Sequence, residues 1–237
     1  NVIKFHIVPA IDYYYTNNPV VESIGNVLVF TTQNTPLDNF HNVIAKRVFD
    51  LVFSFVFLVT LFPVIYLIIG IIIKLGSPGP VFFVQERTGK NGATFKCYKF
   101  RSMRCNDEAN TKQATANDSR KTRVGNFLRK TNLDDLPQFI NVLKGDMSIV
   151  GPRPHMLLHT EEYSRLVNKY MVRHFIKPGV TGWAQINGCR GETKEVSQME
   201  DRIRKDIWYL ENWSFLLDIE IIIRTVFVTF KGDVKAY

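Results

Sequence analysis

The chain has 237 residues, 46% of them hydrophobic, which is ordinary for a globular protein of one large domain or two small ones, so composition alone does not announce a membrane protein. A net charge of +8 and a pI near 9.4 imply anionic partners: nucleic acid, acidic lipid headgroups or phosphorylated substrates. Cys97, Cys105 and Cys189 are odd in number and lack CxxC or metal-ligand spacing, which points to a reduced, cytoplasmic setting rather than a disulfide framework, with none of them catalytic.

Residues 1–40 alternate short β-like runs (2–8 and 26–32) with polar and aromatic turns and read as the remnant of an upstream domain. The chain starts at Asn1 without a basic-then-apolar leader, which reads as a fragment with no cleaved signal. Residues 51–73 then carry no charge, are almost wholly apolar, and are flanked by Lys46, Arg47, Asp50 and Lys74. As a helix these positions would be roughly 35 Å long, enough for a ~30 Å hydrocarbon core. Pro63 removes a backbone donor and clashes with the preceding turn, so the membrane break is expected at Phe62 and Pro63, leaving two arms of about half a bilayer each. A kinked spanning helix and a re-entrant hairpin both remain open, although basic residues on both flanks do not favour opposite sides for the two ends.

Gly76-Ser77-Pro78-Gly79-Pro80 stops the apolar segment, and Val81-Phe82-Phe83-Val84 and residues 95–100 give two strand signals. Residues 106–122 are polar and read as a mobile surface loop. Between residues 74 and 130 there are 13 Lys and Arg against 4 Asp and Glu, which places a basic surface beside the membrane segment. Leu133, Leu136, Phe139, Ile140 and Leu143 recur at helical spacing before Gly145, a natural C-terminal stop. Residues 161–174 give another helix, ended by Lys177-Pro178-Gly179. Residues 197–230 are helical again, with Trp208, Tyr209 and Trp213 beside an apolar stripe. That pattern fits an interfacial helix or a plain core helix.

Three clusters carry chemistry. Asp134 and Asp135 sit at the start of the 133–143 helix after Arg129 and Lys130. Free N–H groups and a nearby guanidinium keep both ionised, and an ionised Asp can attack phosphorus, although N-capping by Asp134 would also explain it. Arg153, held between Pro152 and Pro154 just after Gly151, suits forked phosphate binding or a structural turn. Lys99 and Arg101 alternate in strand fashion and could share one face to clamp a diphosphate, or form a solvated basic face. Absence of a GxxxxGK loop, of GxGxxG after a strand, of HExxH and of a GxSxG elbow argues against nucleotide-triphosphate hydrolysis and zinc proteolysis. His6, His41, His155, His159 and His174 are scattered and are given no catalytic role.

Taken in order, these motifs resemble the bacterial monotopic phosphoglycosyl transferases, over about residues 44–237. Lys46-Arg47-Val48-Phe49-Asp50 with Pro63 is similar to the family's re-entrant membrane helix. Lys99-Phe100-Arg101-Ser102-Met103, Leu133-Asp134-Asp135-Leu136-Pro137-Gln138, Gly151-Pro152-Arg153-Pro154 and the stretch from Lys177-Pro178-Gly179 through Trp183-Ala184-Gln185 to Gly188 match its core. The Gly188-Cys189-Arg190-Gly191-Glu192-Thr193 run resembles the larger, glucose-type members. The resemblance implies an α+β, mostly helical fold, with a re-entrant helix (41–75) and interfacial amphipathic helices around a small catalytic core (76–237). It implies sugar 1-phosphate transfer from a UDP-sugar, glucose favoured, to undecaprenyl phosphate, releasing UMP at the cytoplasmic face of the bacterial inner membrane.

Residue by residue, the resemblance implies Asp134 as the nucleophile and Mg²⁺ ligand, with Asp135 and Arg129 beside it as catalytic groups. Lys99, Arg101, Arg153, Gln185 and Arg190 become substrate-binding residues. Mg²⁺ is the implied cofactor, and inner-membrane lipid and a second copy of the chain are expected partners, nucleic acid not. The family usually has Glu where this chain has Asp135, and Ser where it has Phe62. The rival reading is a non-enzymatic membrane-anchored module whose basic face recruits acidic lipid, which leaves the acidic pair unexplained.

Overall fold

A computed structural model describes the backbone of residues 20–24 and 27–31 and, beyond those, residues 35–105, 115, 118–191, 193 and 195–231. The strand reading at 2–8 and most of the polar run 106–122 lie outside the described residues. Strands β1 (Val20–Ile24) and β2 (Val27–Thr31) pair antiparallel, in keeping with the β-like run at 26–32.

The apolar segment forms two helices. Helix α1 (Phe40–Thr60) opens on Asn39, whose side chain accepts the His41 N–H at 2.9 Å. Helix α2 (Phe62–Gly76) carries Pro63 in its first turn, where no donor is needed, and the two axes bend by 57°. No single helix among the described residues is long and apolar enough to cross a membrane. Phe62, at the break, stacks on Phe100 at 6.0 Å between ring centroids. α1 begins earlier than the uncharged segment because its charged residues are buried rather than displayed. Lys46, Asp50 and Ser54, four residues apart, form one stripe facing the protein, while Val48, Val52, Phe55 and Val59 face outward. This polarity is inverted relative to a helix on the surface of a water-soluble body. The expected basic flank is corrected accordingly: Lys46 pairs with Asp218 at 2.6 Å, and Arg47 donates to the carbonyls of Val142 and Leu143.

Strands β3 (Phe82–Thr88) and β4 (Thr94–Phe100) pair antiparallel, Phe82 opposite Phe100, as the two strand signals predict. Helix α3 (Arg123–Lys130) is capped by Thr122, and Asn132 in the left-handed region (φ 55) ends that turn. The expected 133–143 helix is two pieces: a 3₁₀ turn Leu133–Asp135, then α4 (Gln138–Lys144) beginning after Pro137 and closed by Gly145 at φ +94. Leu136 and Phe139 plug the core, and the 3₁₀ turn just before Leu136 carries the acidic pair.

Strand β5 (Ser148–Val150) pairs parallel with β6 (Gly179–Thr181) through a crossover containing α5 (Leu157–Leu166). The crossing is closer than any side chain allows: a Cβ on Gly151 would lie 2.6 Å from the Lys177 carbonyl oxygen, and one on Gly182 would lie 2.2 Å from that of Gly151. The single helix expected over 161–174 ends at Leu166, and after Lys169 in the left-handed region (φ 62) a 3₁₀ segment Tyr170–Phe175 follows. The break lets Tyr170 turn inward against Tyr163, Met199 and Ile203. A four-residue helix α6 (Trp183–Ile186) precedes α7 (Val196–Glu211) and α8 (Phe215–Lys231), which replace the one helix expected over 197–230. The corner forms because Ser214 Oγ accepts the Leu217 N–H while Trp213 Nε1 reaches Asp218. Tyr209 and Trp213 are buried in the main core with Phe139, Val142 and Ile149, and Trp208 stacks on Trp183 at 4.5 Å. These aromatics therefore serve packing, and it is α8 that leaves Leu216, Ile223, Val226 and Phe227 exposed.

Candidate active site

One cavity of about 360 Å³ gathers residues from β3, β4, α3, the 3₁₀ turn, the loop after β5, α6 and α7. Its lining includes nine Lys and Arg side chains, Lys99, Arg129 and Arg153 among them, and two carboxylates, Asp134 and Asp135. A concave surface with that balance favours a polyanion of small-molecule size. All eight expected catalytic and binding residues line it, from Lys99 and Arg101 through Arg129, Asp134, Asp135 and Arg153 to Gln185 and Arg190. Pro63 lies at the helix break instead.

The two adjacent carboxylates are treated differently. Asp135 is engaged on both oxygens: Oδ1 accepts from Gln138 Nε2 at 2.5 Å and Lys99 Nζ at 2.6 Å, and Oδ2 accepts from Arg153 Nη1 at 3.0 Å. Burial pushes its pKa up, but Lys99 and Arg153 outweigh burial and hold it far below the carboxylate range. Asp134 has no hydrogen-bond or ion-pair partner among the described residues. Burial and the neighbouring Asp135 charge push it up to about 6, against the pull of Lys99, Arg129 and Arg153. Neither Asp caps α4, which starts from Pro137, so N-capping by Asp134 is corrected. The shorter Asp135 reaches its cations without the extra methylene of Glu.

The cations divide likewise. Arg129 Nε donates to Ser102 Oγ at 2.8 Å, which fixes its guanidinium at the cavity wall. Arg101 gives Nη1 to the Pro78 carbonyl and Nη2 to the Ser77 carbonyl, at 2.6 and 2.7 Å. Its fork thus ties the loop after α2 to the site, and Arg101 and Lys99 line the same cavity. Gln185 and Arg190 lie on the opposite wall, near Arg202, whose Nη2 donates to the Gly191 carbonyl at 3.2 Å. Arg202 and the buried Arg173 carry no sequence signal, since each lies inside a helical pattern where a polar residue reads as solvent-facing; Gln138 stands in the acidic-pair motif but without an assigned role.

The donor set bears on Mg²⁺. Among the described residues no three His, Cys, Asp or Glu side chains cluster, and Asp135 is already occupied, so Asp134 alone is available. One carboxylate plus oxygens from a bound phosphate is a set Mg²⁺ accepts. His159 lines the cavity and His155 and His174 are buried.

A family model described as bacterial sugar transferase matches residues 41–232. The chain is 46% identical over 99% of its length to a UDP-glucose:undecaprenyl-phosphate glucose-1-phosphate transferase of Xanthomonas campestris, covering 49% of that protein. It is 47% identical over 94% of its length to the Escherichia coli protein of the same name, covering 48% of it, and 44% identical over 89% to the one of Caulobacter vibrioides, covering 79%. The chain thus spans about half the length of the first two relatives.

Proposed function

Since the chain belongs to the bacterial sugar transferase family, we propose that it moves glucose 1-phosphate from UDP-glucose to undecaprenyl phosphate in two steps on Asp134. In the first, an Asp134 oxygen bonds to the sugar-bearing phosphorus and the bond to the bridging oxygen breaks, so that UMP leaves with the electron pair. In the second, a phosphate oxygen of undecaprenyl phosphate attacks the same phosphorus, the aspartyl bond breaks, and the carboxylate is restored. Splitting the transfer lets two bulky partners use one site in turn.

The observation that carries this reading is the unpartnered carboxylate of Asp134 beside the fully engaged Asp135, in a cavity lined by cations. A module that merely grips acidic lipid gains nothing from burying a free carboxylate there. Arg129, Arg153 and Lys99 neutralise charge developing on the phosphoryl oxygens, and Asp135 holds the last two in place. Asp134 would hold Mg²⁺ together with the diphosphate, and the ion supplies further charge neutralisation there.

Helix geometry supports the membrane reading. α2 has 15 residues, so it is about 22 Å long, short of a ~30 Å core, and the bend turns it away from the axis of α1. In this reading α1 and α2 form a re-entrant hairpin with their apolar faces and that of α8 in lipid, and the cavity would lie at headgroup depth on the cytoplasmic side of the inner membrane, open to soluble nucleotide sugar. The experiment is UMP release by the lipid-embedded chain from UDP-glucose, UDP-galactose and UDP-N-acetylglucosamine with undecaprenyl phosphate and Mg²⁺. UMP matched by lipid-linked glucose is expected; silence across the panel from folded protein refutes the proposal.

A further inference from the structure

The Gly151-Pro152-Arg153-Pro154 loop has an unusual problem of attachment. Two of its residues have no N–H, so its position rests mainly on its carbonyls. Three successive carbonyls accept from three different elements: Pro152 from the Gly179 N–H at 2.9 Å, Arg153 from Arg173 Nη2 at 2.7 Å, and Pro154 from Arg87 Nη1 at 3.3 Å. The middle one decides where the Arg153 side chain starts.

Arg173 is itself held through both terminal nitrogens of its guanidinium. It is 2% exposed, and its Nη2 pairs with Asp206 of α7 at 2.9 Å. Nη1 lies 2.7 Å from His155 Nδ1, and the Tyr170 ring lies 5.6 Å from the guanidinium carbon. Tyr170 OH is in turn 2.7 Å from His155 Nδ1. A charge this deep is costly unless its geometry is used, and removing one partner of such a pair is more damaging than the pair is stabilising. Here the geometry is used: one guanidinium nitrogen spans a carboxylate and the backbone of a residue that reaches the acidic pair.

We propose that Arg173, held by Asp206, is a positioning residue for donor binding that acts through the Arg153 backbone. The inference rests on the reading of Arg153 as a donor-phosphate ligand. Lys presents one nitrogen where the fork presents two with fixed spacing, Nη2 for Asp206 and the Arg153 carbonyl and Nη1 for His155, so Lys cannot keep the whole set. α7 would then brace both walls of the cavity, since Arg202, one turn before Asp206, holds the Gly191 carbonyl of the opposite loop.

The test is a double-mutant cycle on the lipid-embedded chain, with affinity for UDP measured calorimetrically so that turnover is not needed. Arg173→Lys and Arg153→Ala are each expected to weaken UDP binding about tenfold, the loss of one charge-assisted contact, and the double variant to bind like Arg153→Ala alone to within about twofold. Asp206→Asn, which keeps volume, is expected to weaken binding severalfold with the same lack of additivity. Multiplicative losses in the double variant overturn the inference, as does a lowered melting temperature with unchanged UDP affinity in both Arg173→Lys and Asp206→Asn. If Arg153→Ala alone binds UDP normally, the phosphate reading of Arg153 falls and the inference falls with it.

Discussion

Two of the buried charge clusters among the described residues differ sharply, one under α1 and one under the cavity. In the first, Asp218 receives Lys46 Nζ at 2.6 Å, Tyr209 OH at 2.6 Å and Trp213 Nε1 at 3.2 Å, and the nearby Asp50 receives the Ile149 N–H at 3.0 Å. Both oxygens of Asp218 are satisfied, and the cluster does nothing but join α1, α7, α8 and β5. In the second, Asp135 is satisfied to the same degree, and Asp134 beside it is not. Low dielectric makes a satisfied network rigid and an unsatisfied group reactive, so the difference between architecture and chemistry here is a matter of one uncommitted carboxylate.

That contrast is open to attack at several points. The largest effect belongs to Asp134→Asn, which removes the nucleophile and should lower turnover at least about 10³-fold. In EDTA at neutral pH the same change should stabilise the fold by up to about 3 kcal/mol. The native pKa lies above the unfolded value, so ionising Asp134 opposes folding at pH 7, and the amide removes that cost. Turnover within tenfold of wild type would refute the role. Asp218→Asn should do the opposite: a buried Lys46 loses its counter-charge, costing about 3–5 kcal/mol in denaturant unfolding, while turnover per folded molecule stays near wild type. A selective loss of turnover would show the cluster under α1 to be part of the chemistry.

Asp135→Asn should fall between them, slowing transfer about 10- to 100-fold because Lys99 and Arg153 lose their anchor while the nucleophile remains. A wild-type rate would reduce Asp135 to a structural turn residue. The smallest effect concerns the buried histidines next to Arg173. Burial first and Arg173 second push His174 down to about 4, and His155 is held well below its ordinary range for the same reasons. Both are neutral in the fold, and the unfolded chain binds their protons below about pH 6.5. Stability from this source is therefore full above pH 6.5 and lost on acidification toward pH 4, by about 2 kcal/mol for His174 at pH 5, with His155 acting in the same direction. Unfolding curves at pH 7 and pH 5 check it, and His174→Gln should reduce the difference; equal stability at both would contradict the burial argument.

Much of this was readable from local pattern. Pro63 in an uncharged stretch marks the helix break, the alternating runs mark β3 and β4, and the order of the motifs marks the set of residues that meet in the cavity. What local pattern could not show is which of two adjacent aspartates is left free. That depends on Lys99 and Arg153, which arrive from a strand and a loop far along the chain. The same holds for Lys46 and Asp50, which look like a polar flank and are buried against Asp218 and Ile149. Helix breaks at Lys169 and Asn212 escaped for a related reason: each is imposed by an inward-turning aromatic, Tyr170 or Trp213, whose partners are tertiary. Nor could local pattern show that the fork of Arg101, a cation in a basic strand pattern, reaches two backbone carbonyls at the cavity wall.

The role of Asp134 is tested most directly by rapid acid quench of the lipid-embedded chain mixed with UDP-glucose and Mg²⁺ in the absence of any polyprenyl phosphate, followed by peptide mass spectrometry. The expected result is a hexose-phosphate adduct on Asp134, formed in step with UMP and absent from Asp134→Asn. UMP release that requires the lipid acceptor, with no adduct on Asp134 in protein that completes the full reaction, would contradict it.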